Sequence, residues 1–161
     1  MFVATEQIIE CVNEVEKDEE KLVIVAGKPG SGKSKIMREL GQMRGWKYID
    51  SKVLLTDEFL ELPPKARAGE APNVMSDVLA IEDARVILLD NTQALFAPVL
   101  RTDPLQLLRQ LSRKQTIVAA WPGEYTDKEN EPDEKALVYL RNFGTEAVYF
   151  DSEGLKIISL P

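Results

Sequence analysis

Three segments of the chain are almost continuously apolar, and each is short enough to form one strand that is buried on both faces. These segments are residues 21–26, 85–90 and 116–121. Residues 46–50 instead alternate apolar and polar side chains, which predicts a strand with one exposed face. Two further strands are expected near residues 147–150 and 155–159.

Helices are predicted where apolar residues return every three or four positions. Ile8, Val12 and Val15 show this spacing, which predicts an amphipathic helix over residues 4–18. The other predicted helices start near residue 33, lie near residues 57–62 and 73–81, begin at Pro104, and run from about Ala136 to Gly144. Buried strands that alternate with helices indicate a three-layer α/β/α fold around a parallel central sheet.

The length of the chain fits one such domain. With 161 residues, of which 44% are hydrophobic, it can bury one core but not two ordinary ones. We therefore expect a single domain over residues 1–161, made of an N-terminal helix (1–20) and a core (21–161). No segment has the roughly 20 apolar residues that a membrane span needs, and no secretion signal is recognisable, which favours a cytoplasmic protein.

Charge and cysteine content argue against several classes of site. The net charge of −7 disfavours broad, sequence-independent binding of nucleic acid by the isolated chain, because such binding depends on clustered Lys and Arg. Cys11 is the one cysteine of the sequence, which contains no histidine. Neither an internal disulfide nor a structural zinc site is therefore expected.

The most specific motif directly follows the first apolar run. Residues 27–34 match the G-x-x-x-x-G-K-[ST] pattern of phosphate-binding P-loops at every fixed position, with a strand predicted before them and a helix after them. Glycines let backbone N–H groups wrap a polyphosphate, while Lys33 reaches the β- and γ-phosphates and Ser34 ligates Mg²⁺. The motif predicts ATP and Mg²⁺ as ligands. The predicted nucleotide-binding residues are Gly27, Lys28, Pro29, Gly30, Ser31, Gly32, Lys33, Ser34 and Lys35.

Asp90 ends the second apolar run, where P-loop proteins place the Walker B acid that holds Mg²⁺ through water. We therefore predict that Ser34 and Asp90 hold the metal. Additional-strand ATPases commonly place a water-activating glutamate next, whereas this chain has Asn91. An amide orients a water molecule but does not accept its proton, so slow intrinsic hydrolysis is expected. Glu124 is the best-placed substitute base.

Two basic features lie outside these motifs. Arg141 falls near the end of a predicted helix, the place from which an arginine in ring-forming ATPases reaches the γ-phosphate of the neighbouring subunit. A cation in the last turn of a helix also interacts favourably with the helix dipole, so a purely structural role is an open alternative. Arg109, Arg113 and Lys114 form a second cluster, which a solvated helix end explains better than contact with DNA or phosphate.

The order of these features resembles that of AAA+ and related additional-strand ATPases over about residues 20–160. Residues 86–96, 103–105 and 111–123 resemble more narrowly the BrxF family, the small P-loop proteins of type III BREX phage-defence systems. The resemblance implies an ATPase that acts in defence against phage DNA, with other BREX proteins and double-stranded DNA as partners. Because the site is incomplete within one chain, we also expect a nucleotide-dependent homo-oligomer. Few residues follow Phe150, so the helical lid that usually follows an AAA+ core is not expected.

Two other functions fit the same P-loop. Small-molecule P-loop kinases have a similar length, but they need an arginine-bearing lid, and Lys128 is the one basic residue among residues 124–134. A binding module that holds ATP with negligible turnover is favoured by Asn91. The sequence leaves these alternatives open.

Overall fold

The computed structural model describes residues 2–127, 135–141 and 144–161. The α-helices are α1 (Phe2–Val15), α2 (Lys33–Arg44), α3 (Asp57–Leu60), α4 (Arg67–Ala80) and α5 (Pro104–Leu111). The strands are β1 (Leu22–Ala26), β2 (Lys47–Asp50), β3 (Val86–Asp90), β4 (Thr116–Trp121), β5 (Tyr125–Asp127), β6 (Lys135–Arg141), β7 (Glu146–Asp151) and β8 (Lys156–Ser159). Short 3-10 turns lie at Ser51–Leu54, Pro64–Ala66, Thr92–Phe96 and Pro98–Leu100. None of the helices in these described ranges has the length and apolar content needed to cross a membrane.

Five strands form a parallel sheet in the order β2-β3-β4-β1-β8. β4 lies between β1, which leads into the P-loop, and β3, which ends at Asp90, and it pairs in parallel with both. This inserted strand distinguishes the additional-strand class of P-loop folds, and the order is typical of an AAA+ core. The fold class predicted from the sequence is confirmed.

Separate apolar clusters cover the two faces of the sheet. Val23 and Val25 of β1 pack with α1 and α2, whereas Leu22 and Ile24 pack with α4 and α5. Successive side chains of a strand point to opposite faces, so a central strand covered on both sides must be apolar at every position. This explains the continuous apolar runs, since fully burying each such side chain contributes roughly 1.5–3 kcal/mol.

A second sheet corrects the prediction for the C-terminal part of the chain. The helix expected from Ala136 to Gly144 is wrong, because β5, β6 and β7 form a three-stranded antiparallel sheet. Leu137 is fully buried and pairs with Phe150 on β7, a contact that lies beyond one helical turn. Short apolar runs fit helix and strand periods alike, so such a contact decides between them. Gly144, with φ +84°, lies in the turn before β7.

The start of α4 also differs from the prediction. A helix was expected only after Pro72, but α4 begins at Arg67 and contains that proline. Proline inside a helix removes one backbone hydrogen bond. The buried residues Ala71, Val74 and Met75 of this helix join the core under α5, and their packing outweighs that loss.

Gly123 connects the P-loop to the antiparallel sheet. Its carbonyl accepts a hydrogen bond from the N–H of Gly27, the first P-loop residue, at 2.8 Å. The indole N–H of Trp121 donates to the carbonyl of Val138 in β6 at 3.1 Å, and its ring packs edge to face on Phe150 with centroids 5.2 Å apart. The end of β4 therefore holds the P-loop on one side and β6 on the other.

Gly123→Ala should destabilise the fold, because an added Cβ would overlap the backbone carbonyl oxygen of Val138. We expect the free energy of unfolding to fall by about 3 kcal/mol, the upper end of typical overpacking effects, in urea denaturation. Gly69→Ala is the matched control, because a Cβ on this α4 glycine would meet nothing within 4 Å. It should raise stability by roughly 0.5–1 kcal/mol. Equal stability of wild type and Gly123→Ala would contradict the packing described.

Candidate nucleotide-binding site

The P-loop joins β1 to α2 at the C-terminal edge of the parallel sheet. Gly30 and Gly32 have φ angles of +83° and +95°, a left-handed region that glycine adopts without a steric penalty. Because Gly32 precedes α2, no side chain caps the first N–H groups of that helix. These groups and the helix dipole are therefore left to bind an anion, as the motif predicts.

The Lys33 side chain, at the start of α2, folds back onto the beginning of the P-loop. Its ammonium group donates hydrogen bonds to the carbonyl of Gly27 and, at 3.1 Å, to the carbonyl of Lys28. Burial lowers the pKa of Lys33, and the nearby carboxylate of Asp90 acts in the opposite direction. The cation is thus held between the P-loop backbone and the end of β3, within the region where phosphates would lie.

Asp90 is the centre of a hydrogen-bond cluster at the end of β3. Tyr48 of β2 donates to its Oδ2 at 2.5 Å, and the Ser34 hydroxyl and the Asn91 backbone N–H also hydrogen-bond to it. Burial alone would raise the pKa of Asp90, but these hydrogen bonds and the charge of Arg38 outweigh it, so the pKa lies below its ordinary value. The carboxylate is therefore kept ionised and fixed in orientation.

The same cluster contains oxygen atoms that fit Mg²⁺. The Ser34 hydroxyl and the Asp90 carboxylate are in hydrogen-bond contact, so the two predicted metal-binding residues lie together. Mg²⁺ prefers oxygen ligands and is usually held by one or two protein groups together with water and substrate phosphates. The donor set therefore suits an ion that accompanies a nucleotide.

A cleft of about 350 Å³ opens beside these residues. It is lined by parts of the P-loop, α2, β2, the segment after β3 and the end of β4. Its volume falls within the usual range for small-molecule sites. The predicted residues among its lining are Pro29, Gly30, Lys33, Ser34, Asp90 and Asn91.

The other predicted P-loop residues have different surroundings. The N–H of Gly27 is bonded to Gly123, so it is engaged inside the protein. Lys28 is exposed and forms an ion pair with Glu124 at 3.4 Å. Lys35 is exposed on α2, and Ser31, Gly32 and Lys35 are not among the described residues that line the cleft.

The sequence analysis missed Arg38, Tyr48 and Asp50 among the lining residues, and also Thr92, Gln93, Ala120 and Pro122. The guanidinium of Arg38 lies 5.6 Å from the centre of the Tyr48 ring, a cation–π geometry, and Tyr48 in turn holds Asp90. A signal was present in the sequence. Arg38 follows Ser34 by one helical turn, and Asp50 ends β2 as Asp90 ends β3.

Asn91 bridges neighbouring strand ends. It adopts a left-handed conformation with φ +54°, and its amide Nδ2 donates to Oδ1 of Asp50 at 3.1 Å. The next residue, Thr92, donates its hydroxyl to the carbonyl of Ala120 in β4. Ser51 donates to the Asp90 carbonyl at 2.7 Å. The segment after β3 is therefore fixed to β2 on one side and to β4 on the other.

Arg141 does not lie among the described residues that line the cleft. It ends β6 rather than a helix, so the helix-dipole explanation of its position does not apply. Its guanidinium forms an ion pair with Glu146, its register partner on β7, and this hydrogen bond raises the pKa of Arg141. The residue is exposed on the antiparallel sheet.

The second basic cluster has a structural role. Arg109 pairs with Glu20 at 3.0 Å and donates to the carbonyls of Asp151 and Glu153. Arg113 pairs with Glu20 as well, at 3.5 Å. These contacts tie the end of α5 to the segment that precedes β1 and to the end of β7 with the turn after it, which supports a structural role over contact with DNA.

Tyr48→Phe should weaken Mg²⁺-dependent nucleotide binding about tenfold, because it removes the hydroxyl that orients Asp90 but keeps the ring beside Arg38. Titration calorimetry with a non-hydrolysable ATP analogue, with Mg²⁺ and with EDTA, measures the effect. In EDTA, wild type and Tyr48→Phe should bind the analogue with nearly equal affinity. Tyr149→Phe deletes the same hydroxyl from an exposed side chain of β7 and should bind like wild type. An equal loss of affinity in EDTA would mean that Tyr48 acts elsewhere.

Comparison with known proteins adds little to this geometry. No model of a protein family matches the chain, and no curated protein does. Among solved structures, PCH-2 from C. elegans is similar, with a TM-score of 0.41 and 16% sequence identity. The match covers 100% of this chain and 41% of that chain. The AAA+-like P-loop fold is accordingly assigned from the strand order and from the loop itself.

Proposed function

We propose that the protein binds Mg²⁺·ATP in this cleft and acts as a slow ATPase or nucleotide switch. One observation carries the proposal: an uncapped helix start, the Lys33 ammonium and the Asp90 carboxylate meet at one edge of the sheet. Each of these groups suits a different part of a metal-bound triphosphate. Their convergence favours nucleotide binding over a glycine-rich turn with only a structural role.

Different residues of the cleft would bind different parts of the triphosphate. The backbone of residues 28–32 and the first turn of α2 would bind phosphate oxygens, and Lys33 would exchange its two carbonyl partners for phosphate. Ser34 and Asp90 would hold Mg²⁺, whose chemistry is to neutralise charge on the phosphates. Tyr48 would keep the Asp90 carboxylate in position.

Asn91 supports slow turnover. Its side chain is bonded to Asp50 and, as an amide, accepts no proton from water. The same residue favours the alternative of an ATP-binding adaptor with negligible turnover. Steady-state release of phosphate separates these two functions, since the adaptor would bind ATP without measurable release.

A small-molecule kinase would use the same cleft. The polar side chains of Arg38 and Asp50 are the observation that favours it, because an acceptor molecule needs polar partners beside the phosphates. The part of the expected lid at residues 128–134 lies outside the described residues. Appearance of a phosphorylated metabolite in cell extract, with ATP consumed in equal amount, would identify this activity.

We further propose that the protein forms a nucleotide-dependent homo-oligomer in which Arg141 completes the neighbour's site. The support is that Arg141 is exposed, while the cleft of its own chain is lined by other residues. Contact with a neighbouring γ-phosphate would require Arg141 to leave Glu146. A phosphate carries more charge than one carboxylate, so this exchange is favourable once nucleotide is bound.

A role in BREX phage defence, with other BREX proteins and double-stranded DNA as partners, is supported by the sequence resemblance alone. The charges of the described residues give no support to DNA binding. The net charge is −7, and Arg109 and Arg113 are engaged by Glu20. Filter retention of duplex DNA with and without ATP tests the DNA part directly, and retention that is absent in both states would remove it.

Lys33→Ala should reduce ATP affinity by about 100-fold, because it removes a cation that would make charge-assisted hydrogen bonds to phosphate. Titration calorimetry measures the affinity, and thermal unfolding checks that the variant remains folded. Lys65→Ala, which deletes an exposed lysine outside the cleft, is the matched control and should bind like wild type. Wild-type binding by Lys33→Ala would overturn the proposed function.

Arg141→Ala should lower ATP turnover on the order of 1000-fold while leaving ATP affinity almost unchanged, as expected for an arginine supplied by a neighbour. Phosphate release and light scattering with the ATP analogue measure turnover and assembly. Mixing Arg141→Ala with Lys33→Ala should restore activity, because mixed interfaces combine one intact P-loop with one intact Arg141. Arg85→Ala, which removes another exposed, ion-paired arginine, should not reduce turnover. A protein that stays monomeric with nucleotide would contradict the arrangement.

A further inference from the structure

Two carboxylates stand side by side at the edge of the sheet where the cleft opens. Asp50 ends β2 and Asp90 ends β3, and the two are register partners in the parallel pair. Neighbouring strands lie about 4.8 Å apart, so the two side chains share one region of the cleft. Both line it. The hydrogen bonds of Asp90 and its contact with Ser34 assign it to the metal, which leaves Asp50 without a role in the proposed site.

Asn91 holds Asp50 by one oxygen. Oδ1 of Asp50 accepts from the Asn91 amide at 3.1 Å and from the backbone N–H of Lys52 at 2.9 Å. Both of these bonds, among the described residues, end on Oδ1, so Oδ2 is the oxygen available to a water molecule. The carboxylate is half-buried, fixed by two donors and open to the cleft. These are the properties that a positioned base requires.

We propose that Asp50 accepts the proton of the hydrolytic water and that Asn91 positions it, so that the two residues together replace a glutamate after Asp90. The inference rests on the proposed function. The inference explains why Asn91, rather than a glutamate, follows Asp90. A glutamate at this position would itself accept the proton, whereas Asn91 orients the residue that accepts it. Asn91 fixes the base, and the base comes from the neighbouring strand.

The reaction balances with water as the sole co-reactant. The water oxygen forms a bond to the γ-phosphorus while the bond from that phosphorus to the bridging oxygen breaks, and the electron pair of that bond leaves with ADP. The proton lost by the water goes to Oδ2 of Asp50. Asp50 then passes this proton to the product phosphate or to solvent, which restores the carboxylate.

Other acids in this part of the structure are less suited to the task. Asp90 is engaged by Tyr48, Ser34 and the Asn91 backbone, and these bonds stabilise its ionised form, which makes it a weaker base. Glu124, the substitute expected from the sequence, is largely exposed and paired with Lys28. It is not among the described residues that line the cleft.

Asp50→Asn tests the inference with little disturbance of structure. The amide oxygen of an asparagine can still accept both hydrogen bonds that Oδ1 accepts, so the variant removes the basic oxygen and keeps the contacts. We expect kcat to fall about 100-fold, the lower range for loss of a general base, while the affinity for the non-hydrolysable ATP analogue stays within twofold of wild type. Asp77→Asn makes the same change at an exposed position of α4 and should leave kcat unchanged.

Asn91→Gly tests the positioning role. Glycine keeps the left-handed backbone at this position and deletes only the amide that holds Asp50. We expect kcat to fall about tenfold with an unchanged KM, as for the loss of a partner that orients a functional group. In the double variant with Asp50→Asn, the Asn91→Gly change should have almost no further effect, because there is no base left to position.

The outcomes separate this inference from the proposed function. Normal turnover by Asp50→Asn would overturn the role of Asp50, and the ATP-binding proposal would stand. Loss of analogue binding together with turnover would show that Asp50 is structural, which also overturns it. A loss of kcat in Glu124→Gln with normal turnover in Asp50→Asn would assign the base to Glu124. If the wild-type protein binds ATP but releases no phosphate, it is an adaptor, and the role of Asp50 as a base is overturned because no hydrolysis takes place.

Discussion

The candidate site depends on one constraint, the parallel alignment of β1, β2 and β3 in a sheet that is covered on both faces. Parallel strands bring their carboxyl ends to the same edge, so the P-loop, Asp50 and Asp90 meet there although they are distant in sequence. Because β4 lies between β1 and β3, the strand that leads into the P-loop and the strand that ends at Asp90 are one strand apart, and Ser34 of α2 still reaches Asp90. Polar chemistry thus collects at an edge, while β1 and residues 86–89 of β3 are wholly apolar.

Hydrogen bonds fix the orientation of the two carboxylates at this edge. Tyr48 and Ser34 act on Asp90, and the Asn91 side chain acts on Asp50, so each of the two carboxylates is held by its own donors. A half-buried carboxylate without donors would be pushed toward its neutral form. At Asp90 the donors outweigh burial, so its pKa lies below the ordinary value and the carboxylate stays charged.

The antiparallel sheet is attached to the P-loop through Gly123. It is anchored where Gly123 approaches Val138 so closely that no side chain fits between them, and the carbonyl of Gly123 also receives the first N–H of the P-loop. The P-loop is therefore linked to β6 through two direct contacts, the hydrogen bond from Gly27 to Gly123 and the close packing of Gly123 on Val138. Arg141 is the last residue of that strand.

The sequence by itself determined the parallel core, the P-loop and the position of Asp90. Buried central strands must be apolar throughout, and a loop that wraps phosphate must be glycine-rich, so both leave patterns that can be read locally. Only the tertiary structure decided that residues 135–141 form a strand, because the pairing of β6 with β5 and β7 leaves no mark in the local apolar spacing of this segment. The sequence shows Asp50 at the end of a strand, but it does not show that β2 lies beside β3, so Tyr48 and Asp50 were missed. Their chemistry comes from the neighbouring strand, and which strands are neighbours is set by the packing of the whole chain.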